Sequence, residues 1–324
     1  MSKPYPLISI LMAVYDPNLE WFREQLNSLN TQSYPRIHLY IIDDHSPTIP
    51  FDEIKQIVKE CITNFPFSIT RNDYNLGSNK TFEILTKHAE GDYFAYCDQD
   101  DIWLSRKLSV LYETINASGA LLVCSNMYVI DGEGQIRADS ITHVRRRHIF
   151  HSGQGLMPVL IVSNFVTGCT MLVSSTIAKS AIPFCPYMVH DHYLALYASN
   201  KGLILSLPEK LIYYRIHGNN QTHTLSEVID KKSYYERYIK VSTKKITWIR
   251  DNFICNDNDR NYILKVLDWQ IARESWYQRK PGALYNLWKL RAIKFSVTLF
   301  ELLFIHLPNP IFKIVLWLIK RNII

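Results

Sequence analysis

The stretch YFAYCDQDDIW, Tyr93 to Trp103, places Asp98, Asp100 and Asp101 directly behind an apolar, aromatic run of strand length. Like charges crowded this closely raise one another's pKa unless something positive sits among them. An oxygen-preferring divalent cation, Mg²⁺ or Mn²⁺, supplies that charge when it takes one or two carboxylates together with phosphate oxygens. The plainer account is that Asp101 caps the following helix while Asp98 and Asp100 face water in a turn, and the three residues alone leave both accounts open. A fourth acid, Asp191 in VHDHYLALYAS, stands where a helix begins. It suits either a general base or a helix cap favoured by the helix dipole. In YYRIHGNNQT, Arg215 offers an anion its planar donor fork, and His217 is a titratable group or metal ligand.

Positioning such groups needs elements. PLISILMAVYD is a near-continuous apolar run, the pattern of a strand covered on both faces. In the next segment Leu19, Phe22, Leu26 and Leu29 recur at helical spacing. IHLYIIDDHS predicts a second strand, FDEIKQIVKECITNF a second helix and FSIT a third, short strand. RNDYNLGSNKTFEILTKHAEG is a glycine-containing loop running into a helix, and the Tyr93 strand follows. This βαβαβαβ order predicts a doubly wound α/β sheet with right-handed crossovers. Ligands of such sheets bind beyond the carboxyl ends of the strands, so Tyr15-Asp16, Asp43-Asp44 and Asp98 to Asp101 are expected in one site. Further on, SRKLSVLYETINAS reads as a helix begun by Ser105, and ALLVCSNMYVIDGEGQIR as a strand with a hairpin at Asp131-Gly132. Residues 137–155 read as a mobile surface loop, VTGCTMLVS as a strand, HDHYLALYASNKG as a helix and LIYYRIHGNNQTH as a last strand entering a polar loop. Beyond residue 224 the strand pattern stops, and 234–252, 261–278 and 282–307 look helical.

Apolar residues make up 47% of the 324 and charged residues 20%, a folded globular composition that excludes disordered and fibrous classes. The six cysteines form no CxxC pair, and several lie in apolar runs, so they read as buried, reduced thiols. The net charge of +6 is uneven: the last hundred residues carry about +9 and the first 224 about −3. The N-terminal apolar run, broken by Asp16 and Pro17, reads as a first strand and not a signal peptide.

LISILMAVYD, IHLYIIDDHS, NLGSNKTFEILTKHAEG and CDQDDIW, in this order and spacing, resemble the nucleotide-sugar-binding half of the inverting glycosyltransferases of family 2, which have the GT-A fold. The resemblance runs from about Leu7 to Thr222. It implies an α/β GT-A catalytic domain at 1–224 with a C-terminal helical extension at 225–324. Ala13, Tyr15 and Asp16 would lie along the nucleotide, with Asp43 or Asp44 on the base edge. Asn75, Gly77 and Asn79 would fall in a loop that helps hold the nucleotide. Asp98 would approach the ribose, Asp100 would ligate the metal, and Asp101 would contact the sugar or cap the helix. Trp103 reads as core. Asp191 matches the family's base, with His190 and His192 as orienting or solvent groups. Arg215 and His217 match its YRxH element, near the diphosphate or metal, and Gly168 would let the backbone approach the sugar. DDHS departs from the family's usual DDGS, with His45 where glycine is common; it either bends the loop differently or adds a contact.

The same motifs look most like bacterial rhamnosyltransferases of surface polysaccharide synthesis. They imply dTDP-L-rhamnose as donor, with UDP-glucose or UDP-galactose next, and a lipid-linked glycan acceptor. A sugar-phosphate nucleotidyltransferase is disfavoured because AVYDPNLEW lacks the glycine-rich phosphate loop, and a dehydrogenase because no GxGxxG follows a strand. A non-catalytic binding subunit stays open. No nucleic-acid partner is expected. The runs 295–307 and 311–319, each short of the roughly 20 residues that span a bilayer, suggest an interfacial anchor. That places the protein in the cytoplasm, peripheral on the inner face of the cell membrane. The alternative for these helices is packing on the catalytic domain or against a second copy as a homodimer interface.

Overall fold

The structure, a computed structural model, describes residues 5–145, 148–218, 225 and 228–320. They fall into two compact units. One runs up to Leu160 and adds Asn164–Phe184 and Met188–Gly218; the other holds Ile161–Ser163, Cys185–Tyr187 and the residues after Gly218. The expected boundary between 224 and 225 lies beside 219–224, which are outside the described residues.

The first unit is built on one mixed sheet. Its strands are β1 (Ile8–Val14), β2 (Ile37–Asp43), β3 (Phe67–Arg71), β4 (Tyr93–Cys97), β5 (Ile102–Trp103), β6 (Leu122–Ile130), β7 (Ile136–Ala138), β8 (Met171–Ser174) and β9 (Ile204–Arg215). They lie in the order β3-β2-β1-β4-β8-β6-β9-β5, with β7 on β6. Helices α1 (Leu19–Asn30), α2 (Phe51–Cys61) and α3 (Ser78–His88) connect the first four strands, which are parallel. Six of the seven β1 side chains are buried, as its near-continuous apolar sequence, interrupted by Ser9, leads one to expect of a strand covered on both faces.

Register brings the acids together. Val14 pairs with Asp43 and Met12 with Cys97, so β1, β2 and β4 end along one edge, and the Asp44 N–H closes it by donating to the Val14 carbonyl at 2.7 Å. The all-parallel expectation fails beyond β4. β8 runs antiparallel to β4 with Leu172 opposite Ala95, so its beginning, not its end, reaches the acidic edge. That puts Gly168–Thr170, a 3₁₀ turn and not strand as expected, beside the Asp98 loop. β5 pairs antiparallel with β9, Trp103 opposite Ile212, and β9 carries Arg215 at its end to the same place. β9 begins earlier than expected, at Ile204, because a register shift against β6 between Leu207 and Lys210 absorbs Pro208.

Two local expectations change. Helix α4 (Lys107–Ser118) starts two residues after Ser105, whose hydroxyl does not cap it; the N-cap is Arg106. Described residues of the 137–155 segment are tied to the sheet at both ends: Ser140 bonds Asn126, and Gly153 exchanges both backbone hydrogen bonds with Ile204. The Asp131 hairpin does join β6 to β7.

The second unit is helical: Lys231–Tyr234 continuing through a π turn (Tyr235–Ile239) into Lys240–Asn252, then Asp257–Tyr277, Ala283–Lys289, Phe295–Phe304 and Asn309–Lys320. The single helix expected over 282–307 is two, because Lys294 leaves helical geometry (φ −151°) and sends its ammonium to the Val162 carbonyl and the Ser163 hydroxyl. Inside, Arg273 and Glu301 form a buried, multiply bonded ion pair that also accepts the Tyr234 hydroxyl. Among the described residues, no helix is long and apolar enough to cross a membrane.

Candidate active site

The acids sit in the short connection between β4 and β5, and the strand ahead of them dries the site: Phe94 to Cys97 are wholly buried. Burial, then Asp100 and Asp191, pushes the Asp98 carboxyl up to about 7. Asp101, entirely buried, is held well above the usual range by burial and by Asp100 and Asp98, although the Arg215 backbone N–H donates to it at 2.9 Å. It caps no helix, since α4 begins at Lys107. Asp100 meets His217 at 2.7 Å (Oδ2 to Nε2), so the two expected metal ligands, 117 residues apart, are neighbours. The His217 ring rests on Trp21 at 4.9 Å.

Asp191 lies in the first turn of the helix His190–Lys201, whose N-cap is Val189, so its carboxylate is not the cap. It accepts the Gly168 N–H at 2.9 Å, the Asn164 amide at 3.2 Å and the His192 N–H. Burial outweighs these bonds and raises it to about 6. Gly168 also has a steric task. A Cβ there would meet His190 Nε2 at 2.7 Å, so the bare backbone makes room for the helix that carries Asp191. His190 stacks on Phe82 and Tyr96, and burial drops it to about 3, which keeps it neutral; His192 donates to the Leu160 carbonyl.

Arg215, expected on the diphosphate, is a buried brace. Its guanidinium takes Glu24 and the carbonyls of Asp100 and Asp131, lies over the Trp21 ring at 5.1 Å, and is 1% exposed. The physical reason is that β9 enters beneath the acid loop, so a long side chain at its end meets protein before solvent. Asp43 and Asp44, expected on the base edge, are likewise buried and bonded to their own loops. Asp43 accepts from Ser46 and faces Arg71 at 3.3 Å. Asp44 accepts from Asn72 at 2.7 Å, Leu76 N–H at 2.9 Å and Gly77 N–H at 2.8 Å. Asp44 thereby fixes the loop holding Asn75, whose side chain also accepts the Gly77 N–H, and Gly77 needs to be glycine because its φ is +81°. Asn79 sits in the first turn of α3 behind it. His45 keeps the left-handed turn that glycine would make (φ 63°) and adds a contact, Nδ1 to the Asn72 carbonyl at 3.2 Å.

On β1, Ala13 is half-buried. Tyr15 is 46% exposed and exchanges two hydrogen bonds with the Gln99 amide, linking the end of β1 to the acid loop. Asp16 (φ 46°) accepts from Thr48 and donates its own N–H to Ser46 Oγ.

Several groups escaped the sequence reading. Lys107 is fully buried, donates to the Cys169 carbonyl, lies 3.0 Å from the centre of the Trp103 ring and is lowered to about 7 by burial. Its charge is among those felt by Asp98. A lysine on the apolar face of α4, four residues after Trp103, was the available signal. Cys169 presents its thiol between Asp98 and Asp101, the three ligand atoms lying within 4.8 Å of one another. Glu24, Trp21 and Asn164 gave no signal, because they are paired only by the fold. Trp103 is core, as expected, and none of the six cysteines is in a disulfide.

A divalent cation fits these donors. Carboxylate oxygens with one imidazole, Asp100 beside His217, suit Mg²⁺ or Mn²⁺. The Cys169 thiol, pushed well up by burial and by Asp101 and Asp98, suits donation to those acids better than ligation.

The sequence pattern described as Glycosyl transferase family 2 matches residues 9–178, more than half the chain and the region that holds β2, β3 and β4 and the 98–101 acids. The chain belongs to glycosyl transferase family 2. Relatives of this chain include an uncharacterized glycosyltransferase of Haemophilus influenzae, 24% identical over 92% of this chain and 93% of its own length. The dTDP-rhamnosyl transferase RfbG of Shigella flexneri is 25% identical over 84% of this chain and 95% of its own. Among solved structures, S. aureus TarS 1-349 in complex with UDP-GlcNAc superposes with a TM-score of 0.57 at 16% identity, covering 90% of this chain and 82% of that one. The mannosyltransferase PcManGT of Pyrobaculum calidifontis, solved with GDP-Man and Mn²⁺, gives 0.56 at 10% identity, with 92% and 76% covered. The family 2 protein described here is therefore a glycosyltransferase of GT-A fold with C-terminal helices.

Proposed function

We propose that this glycosyltransferase works by inversion, in a single displacement, moving L-rhamnose from dTDP-L-rhamnose to a hydroxyl of a lipid-linked surface polysaccharide at the inner face of the cell membrane. Residues 1–224 carry catalysis and 225–324 form the helical region. The observation that carries the reaction type is that the Asp191 charge is among the causes that raise Asp98, after burial and Asp100, so the fourth acid and the 98–101 acids share one electrostatic environment. Inversion needs one carboxylate to take the acceptor's proton and a separate place for the departing diphosphate.

Asp191 is the base. Its two oxygens already hold the Gly168 N–H, the Asn164 amide and the His192 N–H, which fix the carboxylate's direction. A pKa near 6 leaves it ionised at neutral pH yet basic enough to accept a proton. Asp100 and His217 would hold Mg²⁺ or Mn²⁺, which when bound supplies positive charge to the leaving diphosphate. Asp98 faces the ribose and Asp101 steadies the loop from below. Ala13, Tyr15 and Asp16 line the nucleotide, and Asp43, Asp44, Asn75, Gly77 and Asn79 shape the loops around it. Arg215 keeps the acid loop and His217 in place through Glu24 and backbone carbonyls. RfbG's name supports the rhamnose donor, while the UDP-GlcNAc complex of TarS keeps a UDP-hexose as the second choice.

A thermal-shift screen of nucleotide sugars with and without Mn²⁺ tests this. dTDP-L-rhamnose is expected to raise Tm by a few degrees, and only with the metal, since a ligand of the folded state stabilises by mass action. If no nucleotide sugar shifts Tm, the transferase assignment fails. In the Asp100→Ala protein the Mn²⁺-dependent part of the shift is expected to vanish; an unchanged shift would move the metal to other residues.

A further inference from the structure

Three consecutive helices of the second unit are built inside out. Phe295–Phe304 (FSVTLFELLF) carries one charged side chain, Glu301, and buries it completely against Arg273. Its outer face shows Phe295, Leu299 and Leu303, 53%, 37% and 55% exposed, at i, i+4 and i+8. Asn309–Lys320 buries Phe312, Val315 and Leu316 and exposes Ile311, Ile314 and Trp317 on the other side. Ala283–Lys289 buries Ala283 and Leu287 and exposes Leu284, Tyr285 and Trp288. A helix in water hides its apolar stripe and shows its charge; the first of these does the reverse and the others are apolar on both faces. Nine of the twenty exposed large apolar residues described in the protein fall in this stretch.

We infer that these outer faces form a docking surface for an anionic lipid bilayer. The charge pattern selects that occupant. From residue 275 to the end Glu301 is the only acid, and it is buried, so among the described residues this stretch exposes none, while Lys289 and Lys313 are exposed and Arg291 lies over the Trp288 ring at 4.4 Å. A two-fold dimer through the same faces would set this positive surface against itself. Exposed Trp and Tyr among Leu, Ile and Phe, with lysines beside them and no span, is the composition of a surface lying in the headgroup boundary. The surface deepens the membrane part of the proposed function and rests on it; donor chemistry is independent of it.

Flotation of the purified full chain with vesicles of phosphatidylcholine, alone or mixed with phosphatidylglycerol, tests the surface. The protein is expected to float with the mixed vesicles, and Leu299→Ser/Leu303→Ser/Trp317→Ser to lower its partition by more than about a hundredfold. All three positions face outward, so the variant's Tm is expected to match that of the wild type. Lys313→Glu is expected to weaken binding to mixed vesicles and not to phosphatidylcholine alone. Wild-type protein that stays at the bottom, or a triple variant that floats equally well, overturns the inference. So does a dimer in sedimentation that the triple variant converts to monomer, which makes the faces a contact between copies. The dTDP-L-rhamnose thermal shift is read on the same samples: its absence with flotation intact sinks the donor assignment and leaves the surface standing.

Discussion

The Asp191→Asn protein is expected to bind donor as the wild type does and to lose about 10²–10⁴-fold in kcat. The amide oxygen can still accept the Gly168 N–H, so the helix start and its 2.9 Å contact have reason to persist. What is lost is the ability to take a proton. The pH profile separates this from a packing effect. Burial holds the Asp191 carboxyl at about 6, above its ordinary value, and the base works as the carboxylate. Wild-type kcat should therefore fall as pH drops through about 6, roughly tenfold per unit below it, and that acidic limb should be missing from the residual activity of Asp191→Asn. Wild-type turnover by the variant, or an unchanged limb, would remove Asp191 as the base. Retained donor binding with lost turnover would also argue against a non-catalytic binding subunit.

The second large effect is on stability. Removing one partner of a fully buried ion pair leaves an uncompensated charge, which costs about 3–5 kcal/mol. Glu301→Ala strands the Arg273 guanidinium, 2% exposed, and deprives the Tyr234 hydroxyl and the Trp269–Arg273 stack of their anchor. Urea unfolding should register that loss. Arg273→Met/Glu301→Leu should recover most of it, because replacing both charges by apolar groups of similar size is often close to neutral. Equal loss in the single and double variants would mean that packing at these positions, not the stranded charge, sets the cost. The pair also explains how a helix as apolar as Phe295–Phe304 keeps one orientation: Glu301 must face Arg273, and Leu299 and Leu303 are thereby turned outward.

Much of the site was legible because its chemistry sits at strand ends. A near-continuous apolar run such as ISILMAV, of strand length and followed by Asp16-Pro17, fits a strand covered on both faces, and a polar residue that ends it emerges at the sheet's edge. Asp16, Asp43 and Asp98 are placed by that logic alone. The glycine at 77 was readable for a similar local reason, since only a residue tolerant of positive φ makes that turn.

What the sequence by itself determined, then, is local: which runs are strands and helices, which residues terminate them, and that the last hundred residues are helical and basic. The tertiary structure decided which ends meet and which way side chains point once there. The reversal of β8 delivers Gly168 and Cys169 to Asp98, and the antiparallel β5–β9 pair seats Arg215 under the acid loop. A guanidinium free in the sequence thus becomes a brace, and a lysine on an apolar helix becomes the buried neighbour of the acids. The physical reason is range. Backbone propensity and hydrophobic period act over a few residues, whereas burial, and with it every raised or lowered pKa in the site, is set by partners up to about a hundred residues or more away that no local pattern names.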